Sequence, residues 1–388
     1  MPIKDIFLDI AELIIYMISA YYLVTAAISL IYKPAKNKTD TLYKFSVVIP
    51  AYNEESVICD LLTSLKNADY PKELIDVYVV ADGCVDKTAD IARKSGAYVI
   101  EKEKASSKGD ALQAAFEYIK DNGYNCDYIA VLDADNIVDS CFFREASKVA
   151  SSGAKVIQGY VDSKNPYNSW VANAHSVWYW ITNRIFQAGR SYMSIGARIN
   201  GTGFAISRDT LETVPWQVKT MAEDLEYTCM LAEKKIKVSF AEKAITYDEK
   251  PTSFKDSVSQ RTRWSTGISD VKGMFSFKFL KRFKLNDFMG LWEDFFAPVS
   301  YIVLLLSAII GKVKLWNTVP GYIALCTLLI LFPIAAILGL IKDNKFRFKS
   351  FMNIFGCIIC FISWIPVGIV GIFGKRKDEW IHLKHRLK

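Results

Sequence analysis

Apolar and polar positions separate along this chain on two scales. On the coarse scale, four stretches are almost free of charge: residues 13–32, 295–311, 315–341 and 350–374. About 20 apolar residues suffice to cross a bilayer as a helix. The first stretch reads as a retained anchor rather than a signal peptide, because the residues before it are nearly neutral and no small-residue cleavage site follows. On the fine scale, the residues between these stretches alternate short β-branched runs with helical ones. Residues 45–50 (FSVVIP) predict a buried strand, and Tyr52-Asn-Glu-Glu55 reads as the opening of the helix after it. Residues 76–81 predict a second strand that ends at Asp82-Gly83, with Asp86-Lys-Thr88 leading into another helix. Residues 128–132 predict a third, ending at Asp133-Ala-Asp135. Strands alternating with helices predict an α/β, Rossmann-like domain on a mostly parallel sheet, whose ligands collect at the carboxyl ends of the strands.

Composition sharpens the division. Hydrophobic residues make up 51% of the 388-residue chain and charged ones 23%, so the two kinds must be segregated. The expected organisation is an anchor at 1–32, a soluble domain at 33–270, an interfacial connection at 271–294, a membrane region at 295–374 and a basic tail at 375–388. The net charge of +7 is not a nucleic-acid footprint. Much of the basic excess lies beside the apolar stretches, at 33–44, 342–349 and 375–388, where it sets orientation and meets anionic headgroups. Basic loops stay on the cytoplasmic side, which puts the soluble domain in the cytoplasm under a multi-pass cell-membrane region. For 350–374, Pro366, Gly368, Gly371 and Gly374 permit a kinked or re-entrant course. The eight cysteines and three histidines show no metal-ligand spacing, and Cys357 and Cys360 read as small apolar residues on a helix.

The candidate chemistry clusters at strand and helix ends. Asp133 and Asp135 can present hard oxygen ligands on one side of a loop, suited to a Mg²⁺ or Mn²⁺ that keeps positions open for a diphosphate. Glu223 and Asp224 stand at the start of a predicted helix. Gln260, Arg263 and Trp264 fall on one helix face at i, i+3 and i+4. There a guanidinium suits diphosphate oxygens, and an indole ring gives a sugar an apolar face. Gly201-Thr202-Gly203 is either an ordinary tight turn before the strand at 204–207 or a loop that lets a ligand approach the backbone. Residues 170–186, rich in aromatics, are either core or an amphipathic helix on a membrane surface.

Taken in order, Asp82, Asp133-Ala-Asp135, Glu223-Asp224 and Gln260-Arg-Thr-Arg-Trp264 resemble the D, DxD, ED and QxxRW signature of processive family 2 glycosyltransferases. These are the cellulose, chitin, hyaluronan and poly-N-acetylglucosamine synthases, and the resemblance covers roughly residues 44–270. It implies a GT-A type domain, a UDP-sugar donor and a growing polysaccharide as acceptor. By the same resemblance Asp82 contacts the uracil and ribose, Lys108 lies near the nucleotide, and Asp133 and Asp135 hold the metal. Asp224 is then the general base, with Glu223 the next candidate. Arg263 binds the diphosphate with Gln260 on the same face, Trp264 stacks on the acceptor's terminal sugar, and the Gly201 to Gly203 loop touches that sugar.

Ala222-Glu-Asp and QRTRW are closer to the forms found in cellulose and poly-N-acetylglucosamine synthases than to those of hyaluronan and chitin synthases. The expected activity is therefore inverting, processive transfer from UDP-glucose into a β-glucan, with a poly-N-acetylglucosamine-type synthase second. A transferase that adds one sugar to a lipid carrier shares the fold and the metal site, and QxxRW argues against it. A membrane-anchored binding protein without turnover is the reading from another class. The oligomeric state has no signal in the chain.

Overall fold

The computed structural model describes residues 3–32, 41–296, 299–300, 302–303 and 319–373. After helix α1 (Ile3–Ile31), one sheet organises the chain. Its strands are β1 (Phe45–Ala51), β2 (Ile75–Asp82), β3 (Tyr98–Lys102), β4 (Tyr128–Val131), β5 (Ile137–Val138), β6 (Val156–Ser163), β7 (Phe204–Ser207) and β8 (Val238–Asp248). Their spatial order is β3-β2-β1-β4-β7-β6-β8-β5. β1 to β4 are parallel, β7 runs antiparallel to both β4 and β6, β8 is parallel to β6, and β5 pairs antiparallel with β8. The sheet is thus mostly parallel, as the alternation of strands and helices predicts.

The period of two in a strand splits its side chains between two cores. From β1, Phe45, Val47 and Ile49 join Ile58, Leu61 and Leu65 of α2 (Ile58–Lys66), Ala92 of α3 (Thr88–Lys94) and Phe142, Phe143 and Ala146 of α5 (Phe142–Ala150). Val48 points the other way, toward Leu112, Ala115 and Phe116 of α4 (Lys108–Asp121). α2 begins later than Tyr52-Asn-Glu-Glu55 predicts, because those residues are spent on a loop. Asn53 is left-handed at φ 57°, its Oδ1 accepts from the Val85 amide at 2.9 Å, and the Glu55 amide donates to Asp86 at 3.0 Å.

The second half of the chain adds helices along one end of the sheet. α6 (Trp170–Ile181) continues through a π-helical turn at Thr182–Ala188 into α7 (Gly189–Tyr192). Val171, Ala172, His175 and Trp180 are buried, so α6 is core, with only Trp170 exposed among its tryptophans. α8 (Arg208–Thr213) and α9 (Glu223–Glu233) precede β8. α10 (Phe254–Lys281) then runs without interruption through the expected boundary at residue 270. Its Phe275 and Phe279 pack with Leu225 and Cys229 of α9 and with Leu291 at the end of α11 (Leu285–Leu291). Part of the expected interfacial connection is therefore built into the domain, while Phe277 and Phe283 stay exposed.

Among the described residues, Leu13–Ile31 and Ile354–Gly371 are long and apolar enough to cross a membrane. The second is two helices, Ile354–Ile362 and Trp364–Phe373, which break at Ser363 rather than at Pro366. The first of the pair packs on α6 and the second along α10. The helix Val319–Lys342 packs along α1, and Lys342 Nζ donates to the carbonyls of Ser29 at 2.7 Å and Leu30 at 3.0 Å. The carboxyl ends of these two helices thus meet on the side facing the sheet domain. Residues 33–40, most of the expected span at 295–311, the loop around Lys312 and Lys314, Gly374 and the tail at 375–388 lie outside the described residues.

Candidate active site

The strand ends, the start of α9 and one face of α10 open onto a single cavity of about 600 Å³. Asp82, Lys108, Asp133, Asp135, Gly201, Thr202, Glu223, Asp224, Gln260, Arg263 and Trp264 all line it, whereas Gly203 does not. Six chain segments that are distant in sequence thus converge on one space.

Asp82 is the last residue of β2 and is buried. Its carboxylate accepts from the Ser106 amide at 2.8 Å and the Ser106 hydroxyl at 3.0 Å, and Lys102 Nζ stands 3.2 Å away. Lys108 follows directly on the cap of α4, where the Ser107 hydroxyl accepts from the Asp110 amide at 3.1 Å and the Asp110 carboxylate accepts from the Ser107 amide at 3.3 Å. This capping box aims the lysine across the cavity. There Lys108 Nζ pairs with Asp133, donates to the Gly201 carbonyl at 3.0 Å and lies 3.8 Å from Glu223. Burial disfavours its charge, but Asp133, Glu223 and Asp224 outweigh burial and raise its pKa.

The turn after β4 is braced from behind. The Asp133 amide donates to Thr202 Oγ1 at 3.0 Å, and the Thr202 hydroxyl in turn donates to Asn136 Oδ1 at 2.5 Å. Gly203 has φ +65°, and a Cβ there would lie 2.6 Å from Thr246 Oγ1, so only glycine fits between β4 and β8. The Thr202 hydroxyl is therefore committed to the Asp133 turn and Gly203 to packing, which leaves Gly201 as the member of that loop beside Asp224. A Cβ on Gly201 would stand 3.5 Å from Asp224 Oδ2.

Glu223 and Asp224 are the first two residues of α9, where the helix dipole favours carboxylates. Burial pushes the Glu223 carboxyl up to about 7, with Lys108 pulling it down and Asp224 pushing it further up. Burial also raises Asp224, against Arg198 and a hydrogen bond from the Leu225 amide at 2.7 Å. On α10, burial lowers the pKa of Arg263 while Glu223 and Asp133 act to raise it, so this guanidinium faces the acidic side of the cavity. Gln260 Oε1 is buried without a hydrogen bond. Arg261, on the opposite face and 1% exposed, donates to the Cys360 carbonyl at 3.0 Å and to Ser363 Oγ at 2.9 Å, at the break between the two C-terminal helices.

Asp133 and Asp135 supply two carboxylates beside open space. That donor set fits a Mg²⁺ or Mn²⁺ completed by substrate phosphates, which needs only one or two protein carboxylates. Among the described residues no cluster of three or more His, Cys, Asp or Glu side chains would hold an ion by itself.

Several lining residues escaped the sequence reading. Asp248 ends β8 and pairs with buried Lys250 at 2.8 Å, and Lys250 Nζ lies 3.3 Å over the Tyr179 ring. The strand-end rule that found Asp82 would have found Asp248 too. Glu293 and Asp294 stand out as carboxylates directly before an apolar stretch. Trp178 lies in the aromatic stretch at 170–186, whereas Arg198 and Trp364 carry no local signal.

A sheet with this mixed order and carboxylates at its strand ends is the GT-A glycosyltransferase fold. The profile described as "Glycosyltransferase like family 2" matches residues 43–267, and the chain belongs to that family. It is 28% identical over 364 residues to the probable glycosyltransferase YdaM of Bacillus subtilis (strain 168), covering 89% of this chain and 84% of the relative. It is 21% identical over 350 residues to the poly-beta-1,6-N-acetyl-D-glucosamine synthase of Staphylococcus epidermidis, covering 85% and 81%. Among solved structures, the mannosyltransferase PcManGT of Pyrobaculum calidifontis, in complex with GDP-Man and Mn²⁺, shares the fold. Its TM-score is 0.59 at 17% identity, over 96% of this chain and 99% of that one.

Proposed function

We propose that this protein is a membrane-anchored, inverting β-glycosyltransferase that lengthens a polysaccharide by transfer from a UDP-sugar. The observation that carries the reading is the convergence of Asp82, Asp133, Asp135, Asp224, Arg263 and Trp264 on one cavity. Asp82 would hold the uracil and ribose, and Lys108 and Arg263 the diphosphate, with Gln260 beside it. A divalent ion on Asp133 and Asp135 would neutralise charge on the departing UDP. Asp224 takes the proton of the acceptor hydroxyl as that oxygen attacks the anomeric carbon. The new glycosidic bond forms opposite the breaking bond to the diphosphate, which inverts the anomeric centre and releases UDP. Trp264 and Gly201 would hold the acceptor's terminal sugar.

The motif forms favour UDP-glucose and a β-glucan as product. The likeness to the Staphylococcus epidermidis poly-beta-1,6-N-acetyl-D-glucosamine synthase, which spans most of both chains, favours UDP-N-acetylglucosamine. The soluble domain would lie in the cytoplasm, with α1 and the C-terminal apolar helices at the membrane. Incubating membranes that hold the protein with a panel of labelled UDP-sugars tests the reading. One donor is expected to give polymer, and Asp224→Asn to lower its rate by about 10² to 10⁴ while UDP still binds. A product of one sugar on lipid removes processivity, and near-normal turnover in Asp224→Asn moves the base elsewhere.

A further inference from the structure

Part of the cavity lining is a region that the mechanism leaves unused. Glu293 is only 7% exposed, lines this region, and its carboxylate has no hydrogen-bond or ion-pair partner among the described residues. Arg198 lines the same region, within electrostatic reach of Glu293, Asp294, Asp224 and Tyr179. Asp294 is held by Lys272 at 3.0 Å, so the pair cancels in charge. Glu293 and Arg198 thus share the cavity wall with Trp178 and Tyr179, with Tyr179 within electrostatic reach of Arg198 and Arg190 within reach of Glu293. Burying a carboxylate this deeply costs several kcal/mol by general estimate unless something recovers it.

Resting on the polysaccharide-synthase reading, we infer that Arg198 and Glu293 form a second acceptor subsite, one sugar inward from the reacting end, and that it selects an uncharged sugar. A neutral pyranose both donates hydroxyl protons to Glu293 and accepts from Arg198, and its apolar face can rest on an aromatic ring. A uronic acid or phosphate at this position would bring a second negative charge against Glu293, and like-charge juxtaposition excludes wrong partners. Glu293 is therefore a specificity-determining residue, distinct from the groups at the anomeric carbon.

The test measures kcat/KM for two acceptor sets of equal length with the preferred UDP-sugar: neutral β-linked oligosaccharides, and the same with a uronic acid as the penultimate unit. Wild-type protein is expected to favour the neutral set by about tenfold or more. Glu293→Gln, which keeps the size and loses the charge, should shrink that preference to about threefold or less with UDP affinity unchanged. Equal use of both sets by wild type, or an unchanged preference in Glu293→Gln, overturns the inference while leaving the synthase reading intact. If neither set is extended although UDP is released with lipid extract, the synthase reading fails and the subsite falls with it.

Discussion

The Glu223 carboxylate sits in an environment far from that of an exposed acid, with burial pushing it up to about 7. Its raised pKa means that the folded protein holds a proton which the unfolded chain, with a carboxyl near 4.5, has already released. Between those two values the native state binds more protons, so stability falls as pH rises. Thermal unfolding of the detergent-solubilised protein in chelator should show a melting temperature that drops between about pH 5 and pH 7. Glu223→Gln cannot ionise and should flatten that drop. A variant with the same slope as wild type would assign the pH dependence to other groups. Lys108 helps the site tolerate three carboxylates, since one buried ammonium is shared among Asp133, Glu223 and Asp224, with Arg198 acting on Asp224 and Arg263 on Glu223 and Asp133.

At the level of elements, the site depends on how closely α10 approaches the start of α9. Gly267 lies where a Cβ would come within 2.7 Å of the Ala222 amide nitrogen and 2.9 Å of the Met221 carbonyl carbon. Gly267→Ala must therefore push α10, with Arg263 and Trp264, away from Glu223 and Asp224. A shift of about 1 Å can cost about a hundredfold in rate. Gly267→Ala is expected to lose about tenfold to a hundredfold in kcat while the protein still folds and binds UDP. Wild-type kcat in that variant would show that the two helices need not meet so closely. Arg261 fixes the other side of α10 through its bonds to Cys360 and Ser363, so the apolar C-terminal helices help to set where Arg263 and Trp264 point.

For the whole molecule, the question is what holds the apolar helices on the sheet domain. Arg184, in the π-helical turn after α6, pairs with Asp343 just beyond the helix Val319–Lys342 and with Glu242 of β8 at 3.0 Å. Lys345 pairs with Asp162 at the end of β6, which also accepts from Trp180 Nε1 at 2.6 Å. Removing one partner of a buried pair strands the other charge, at a cost of about 3–5 kcal/mol. Asp343→Ala should lower stability toward that range, eased by Glu242, and make the chain near Lys342 easier to cleave in limited proteolysis. Unchanged unfolding and cleavage would mean that α1 and the apolar packing suffice. The same latch brings Lys345 of the basic run at 342–349 against the soluble domain.

Period and spacing alone determined much of this protein. β-branched runs alternating with helices, two of them ending in an acid, were enough for a mostly parallel sheet with Asp82 and Asp133 at its strand ends, because strand burial and strand-end chemistry are local properties. The i, i+3, i+4 spacing likewise put Gln260, Arg263 and Trp264 on one helix face. Other features depend on neighbours distant in the chain. The fate of Tyr52-Asn-Glu-Glu55 was decided by hydrogen bonds to the Val85–Asp86 loop, the break at Ser363 coincides with the bonds from Arg261, and Thr202 was claimed by the Asp133 turn. Arg198 and Glu293 lie 95 residues apart, and neither has a pattern around it that announces the other. Only folding brings such charges into one cavity, since a buried charge is stabilised by whatever surrounds it in space and not by what precedes it in sequence.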